Sequence, residues 1–208
     1  MKKTLITVAV LFALLLTGCH SSYLNDSHPN DLEISDTDYP IEELQYDWNY
    51  FNTSDELAAV VTDVYSGQVT SISFEIIDET TGLYVRDFSS VDKEYARKNY
   101  SLNTVYTISV RKTYKGSSQS EMTVVNTGGI SGYRENEQHD LLVAAGLDGR
   151  RIPVAKDGCN LAVGNIYLFC VYRFPEEYGL DYDNAINPYQ YAHKLNSSNA
   201  KAIINSCK

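Results

Sequence analysis

Two stretches of this chain alternate apolar and polar residues with a period of two, and nothing else in the sequence restricts its fold as much. In residues 66–78, Ile72, Phe74 and Ile76 interleave with Ser71, Ser73 and Glu75. In residues 102–114, Tyr106, Ile108 and Val110 interleave with Thr107, Ser109 and Arg111. Successive strand side chains point to opposite faces, so each stretch buries one face and wets the other. Lys115-Gly116-Ser117-Ser118 then turns the chain into a third strand over 121–127, which ends at Gly128-Gly129. A fourth strand is expected over 151–155, restricted to an edge by Pro153. Residues 161–163 and 166–172 read as a hairpin about Gly164-Asn165. The second of these runs is apolar on both faces, as a central buried strand is.

Helical signals are fewer. Thr53 and Glu56 have capping-box spacing for a short helix, and residues 91–98 suit a helical turn inside the polar connection 78–100. Residues 135–145 carry helical spacing, with Gly146 placed as a C′ glycine, and a last helix is expected over 197–206. Between Pro175 and that helix the chain is irregular and rich in Tyr and Asn. The predicted class is therefore mainly β: a five-stranded OB-fold-like Greek-key barrel with a helix between strands 3 and 4 and a short C-terminal helix.

Three segments carry a resemblance. They are Gly67-Gln68-Val69-Thr70-Ser71, the run from Tyr106 to Gly116, and Cys159-Asn160-Leu161-Ala162-Val163-Gly164-Asn165 continuing to Phe169. Over about residues 57–175 the chain resembles netrin-like domains, the fold of the tissue inhibitors of metalloproteinases. The resemblance implies an OB-fold barrel. It also raises a protease inhibitor-like function, which in that family depends on a free amino group at an N-terminal Cys-x-Cys. Here Cys19 is followed by His20 and Ser21, so the fold carries over and the inhibitory mechanism does not.

The N-terminus supplies an address. Met1-Lys2-Lys3 precedes an apolar run from Leu5 to Leu16, broken only by Thr7, and Leu16-Thr17-Gly18-Cys19 follows. The run is short for a membrane span of about 30 Å and fits a signal h-region. Its ending resembles the lipobox of bacterial lipoproteins, which implies removal of residues 1–18 and acylation of Cys19. Acyl chains contribute about 0.8 kcal/mol per buried CH₂, so two or three of them hold a protein on a bilayer. The expected location is the bacterial cell membrane, lipid-anchored on its extracytoplasmic face.

Charge then divides the chain. It is −10 overall, but from Cys19 to Val85 there are fourteen acids and no Lys or Arg, and from Arg86 onward thirteen acids meet fifteen bases. Eight of those acids lie between Asp26 and Asp47, in a polar stretch interrupted by Pro29 and Pro40. Residues 19–50 are expected to be an acidic flexible tether, and residues 51–208 the folded domain with its C-terminal extension. Tyr46, Trp48, Tyr50 and Phe51 mark where the two meet. Neither part offers the basic face that nucleic acid requires.

With Cys19 acylated, Cys159, Cys170 and Cys207 remain in a compartment that permits disulfides. The hairpin register sets Cys159 opposite Cys170, yet Cys170 inside an apolar strand suits a core thiol equally well. Cys159 occupies a position like that of a disulfide-forming cysteine in netrin-like domains, and a bridge at Cys207 would hold down the terminus. Cys159–Cys207 is the preferred pairing, with Cys159–Cys170 the alternative.

No catalytic constellation is visible. His20, His28, His139 and His193 fall at no metal-ligand spacing, and Gly128-Gly129-Ile130-Ser131-Gly132 is neither a nucleophile elbow nor a phosphate loop. No cofactor and no metal are expected. Tyrosine is abundant, with 17 residues. Tyr178, Tyr182, Tyr189 and Tyr191, spread through the irregular segment, are the candidate binding surface. The expected function is a lipid-anchored binding or protein-interaction module. Carbohydrate binding through the Tyr-rich segment is the alternative.

Overall fold

A computed structural model describes residues 39–44, 47–147 and 151–208, all within one unit of the chain, residues 32–208. Cys19 and the expected signal segment lie outside the described residues. The elements in chain order are β1 (Ile41–Glu43), α1 (Ser54–Val60), β2 (Asp63–Asp78), β3 (Leu83–Tyr84), α2 (Lys93–Asn99), β4 (Tyr100–Lys115) and β5 (Glu121–Thr127). They continue with α3 (Glu135–Ala144), β6 (Ile152–Val154), β7 (Ile166–Arg173), β8 (Asp183–Ala185), β9 (Ala192–Lys194) and α4 (Ser198–Ser206). The protein is mainly β, built around a sheet of seven strands.

The two alternating stretches become β2 and β4, 16 residues each and paired antiparallel. Their inward residues, among them Val69, Ile72, Phe74, Ile76, Tyr106 and Ile108, fill the main core. β4 pairs antiparallel with β5, β5 parallel with β8, β8 antiparallel with β7, and β7 antiparallel with the first part of β2. Those five pairings close a ring. Closure requires β2 to serve two partners, so it bends, and its register shifts at Ser66/Gly67 and Val69/Ser71. A Cβ at Gly67 would strike the Ile108 side chain, so only glycine lets the strands approach there.

The helices follow their local signals. α1 starts at a complete capping box between Thr53 and Glu56, and α2 starts at Asp92, which accepts from two backbone N–H groups. α3 ends before Gly146, whose φ is +74°. α1 and α4 cover the outer side of β2 and β7, burying Leu57, Val61, Val64, Leu168, Ala200 and Ile203.

Three expectations are corrected. Residues 151–155 do yield a strand, β6, but it lies outside the seven-stranded sheet and pairs parallel with β1 and with Gly129. Residues 161–163 form no strand. β7 instead lies between β2 on one side and β8 and β9 on the other, because the bent β2 already occupies the edge a hairpin partner would take. The final part of the expected tether is docked rather than free. Pro40 O accepts from Ile152 N (2.8 Å), Tyr39 stacks on His139 at 4.4 Å, and Gln190 holds the backbone of Phe51 from both sides (2.9 and 2.8 Å). Backbone pairing with β6 and the Tyr39 ring stacked on His139 outweigh the repulsion among exposed acids.

Candidate functional site

The chain that follows β2 and the chain that follows β7 meet outside the sheet. Arg173 and Asp183 are direct partners across β7 and β8, so they form the two stems of the loop 174–182. Arg173 Nε donates to Asp183 Oδ1 at 3.1 Å, and its guanidinium lies 3.3 Å from Asp63 Oδ1 on β2. Asp63 and Asp183 are buried, and Asp63 also accepts from Ser117 N (2.9 Å). Burial holds the Asp183 carboxyl above the usual carboxylate range despite Arg173. Burial also works against the Arg173 charge, but Asp183 and Asp63 prevail and strengthen it. This clasp fixes where the loop begins and ends.

From those stems the loop sends Tyr182 back over the sheet. Its hydroxyl donates to Gly82 O at 2.6 Å, and its ring meets Tyr84 at 5.4 Å and Phe174 at 6.3 Å. A small outer core results, with Ile77, Val105, Val125 and Tyr182 buried and Tyr84, Phe174 and Leu180 packed against them. Around it the surface remains apolar. Tyr178 is 62% exposed and Tyr172 38%, and both rings meet Phe174 edge-on. Glu176, Glu177 and Asp181 are exposed on the same loop. Arg86 caps Tyr84 from 4.7 Å while bonding both oxygens of Glu75 at 2.8 Å, which largely neutralises it. The result is an aromatic platform with an acidic rim.

The platform overlaps only partly with the tyrosines expected to bind. Tyr178 belongs to it. Tyr182 is a buried support, and its pKa is raised by burial and by Asp181. Tyr191 is fully buried, lies near Tyr106 and donates to Cys159 O at 3.1 Å, so it belongs to the main core. Tyr189 is half-buried and sits in a turn in which Asn187 Oδ1 accepts from its N–H. The expectation of one four-tyrosine surface is therefore corrected: a segment without secondary-structure signals still sends two of its rings inward. The platform residues that sequence reasoning missed are Tyr84, Tyr172 and Phe174. Extending the β7 alternation past the strand end would have put Tyr172 and Phe174 on one face.

The three described cysteines are thiols. Cys159 Sγ lies 3.2 Å from the carbonyl oxygens of Tyr189 and Ala192, beside the main core. Cys170 and Cys207 belong instead to the apolar cluster under α1 and α4. The preferred Cys159–Cys207 pairing thus joins residues of different clusters, and the Cys159–Cys170 alternative loses its basis with the hairpin.

Ile41, Glu43, Ser131, Val154, Lys156 and Asn160 are among the residues lining a cavity of about 300 Å³ beside β1. Among the described residues no group of three or more His, Cys, Asp or Glu side chains could hold a metal ion, and no helix is long and apolar enough to cross a membrane. No protein-family model matches this chain, and no curated protein matches it.

Proposed function

We propose that this chain is a membrane-anchored extracytoplasmic lipoprotein, acylated at Cys19, that works as a protein-binding module through the aromatic platform. Its folded part is read as an OB-fold-like Greek-key barrel. Support for that reading comes from the ring of strands β2, β4, β5, β8 and β7, with the single parallel pairing between β5 and β8 and with α3 between β5 and β7. In such barrels the loop after the first strand and the loop joining the last two flank the binding face. Here those are the loops that meet at Gly82 and Tyr182.

The observation that carries the binding assignment is the exposure of Tyr178 and Tyr172 around a packed aromatic base with three carboxylates beside it. Rigid aromatic rings serve as interface anchors because they bury large area at little conformational cost. The acidic rim suits a partner with an apolar centre and a basic surround. Signal and anchor rest on the order Lys2-Lys3, apolar run, Leu16-Thr17-Gly18-Cys19.

Cross-linking in intact cells, followed by affinity measurement with the captured protein, tests the reading. Tyr178→Ala should weaken binding roughly 30-fold, the loss expected at an anchor residue. Cys19→Ala should release the protein from membranes. An unchanged affinity in Tyr178→Ala and Tyr172→Ala would overturn the platform. Glycan binding abolished by the same changes would replace the protein partner with carbohydrate.

A further inference from the structure

We propose that Cys170 and Cys207 close to a disulfide that ties the C-terminal helix α4 to the strand β7. The pairing goes beyond the binding role, and it rests on the extracytoplasmic reading for access to an oxidant.

Three placements bring these thiols together. Cys170 is buried on the outward side of β7, alongside Leu168, and that side is covered by α1 and α4. On α4, Ala200 and Ile203 are buried and face this surface; Cys207 follows Ile203 by four residues and continues the same helical face. Its backbone is still helical, with φ −89° and ψ −1°. Strand register supplies the third. Val64 of β2 is the direct partner of Cys170 on one side and of Lys115 on the other. Cys207 packs into the cluster that contains both Val64 and Cys170, and Lys115 is the charge that pulls its thiol pKa down against burial. Cys207 therefore shares the cluster of Val64 and Cys170 and lies close enough for its charge to act on the Cys170 thiol. Cys159 sits elsewhere, against the carbonyls of Tyr189 and Ala192.

Exposure sets the order of the chemistry. Cys170 is fully buried and its thiol is pushed far up by that burial, whereas Cys207 is only half-buried. Cys207, as thiolate, attacks a disulfide of an exchange partner. The partner's S–S bond breaks, a mixed disulfide forms, and one partner thiol leaves. Cys170 then loses its proton and displaces the second partner sulfur, which leaves as a thiol carrying that proton. Two thiols of this chain are oxidised to one disulfide, and the partner disulfide is reduced to two thiols.

The loop so closed contains β8, β9 and all of α4, so the link should raise Tm by roughly 5–10 °C. The test uses the purified full chain equilibrated with oxidised glutathione, with free thiols alkylated and peptides mapped without reductant. A Cys170–Cys207 peptide pair should appear in the wild type and persist in Cys159→Ser. Reductant should lower Tm in the wild type and leave Cys207→Ser unchanged. A Cys159–Cys207 or Cys159–Cys170 pair, or alkylation of all three thiols after unfolding, would overturn the pairing. Protein recovered from cells gives a separate readout. Reduced thiols there, with the pair forming in glutathione, would uphold the pairing and count against the extracytoplasmic location.

Discussion

The seven-stranded sheet handles buried polarity in opposite ways at the two ends of β5. Beyond its last residue, Gln138 of α3 is fully buried and fully paired. Its Oε1 accepts from Ile130 N (3.0 Å), and its Nε2 donates to Ile130 O and Tyr133 O (2.8 and 2.5 Å). Gly129 makes that approach possible, since a Cβ there would collide with the Gln138 amide. At the first residues of β5, Arg173 reaches Met122 Sδ at 3.4 Å while it binds Asp183 and Asp63. One carboxylate more than the single guanidinium can neutralise is buried there. Nearby, Tyr65 Oη is buried with no hydrogen-bond partner among the described residues. Its pKa is driven well up by burial and then by Asp183 and Asp63. A neutral amide satisfied on all sides specifies one packing and responds to nothing in solution. A charged cluster in surplus of acid holds only through its arginine, and it responds to protons.

That contrast can be broken most severely at the charged end. Arg173→Met should cost about 3–5 kcal/mol near neutral pH, because it leaves two buried carboxylates without their counter-charge. The loss should shrink on acidification. Asp183 has a raised pKa in the fold, so the folded chain binds a proton there more readily than the unfolded one. Its contribution to stability therefore grows as pH falls through the folded pKa toward the ordinary carboxylate value of about 4, and is missing above the folded pKa. Removing Arg173 lifts the Asp183 pKa further and widens that window. Denaturant midpoints at pH 7 and pH 5 check this; a deficit equal at both would remove the charged cluster as its cause.

Gln138→Leu should cost somewhat less, about 2–4 kcal/mol, by leaving the Ile130 and Tyr133 backbone groups unpaired. Its deficit should not move between the same two pH values, which sharpens the comparison. The smallest effect belongs to Tyr65→Phe. Removing a hydroxyl that bonds to none of the described residues should change stability by no more than about 0.5 kcal/mol, and in the favourable direction. A clear loss would reveal a partner for that hydroxyl.

Much of this was legible in the residues. The alternation in β2 and β4, the Thr53–Glu56 capping box, the glycine after α3 and the final helix all appear where local patterning puts them. Each is decided within one turn or one strand, and propensity and burial there agree. The misreadings share a different cause. Residues 161–163 look like a hairpin partner for β7, and only the bend of β2 denies them that edge. Tyr182 and Tyr191 look like exposed loop rings, and only the positions of Gly82 and Tyr106 draw them inward. β8, three residues long, has no signal of its own, yet its two pairings close the ring.

The sequence by itself determined the strands and helices that carry their own periodicity and the division of charge between an acidic N-terminal stretch and a nearly neutral remainder. Tertiary structure alone decided which strand edges meet, which tyrosines remain in solvent, and which acids gather around Arg173. The reason is reach. Periodicity and capping depend on residues a few positions apart, whereas Asp63, Arg173 and Asp183, or Gly82 and Tyr182, become neighbours only when a closed ring of strands brings distant parts of the chain together.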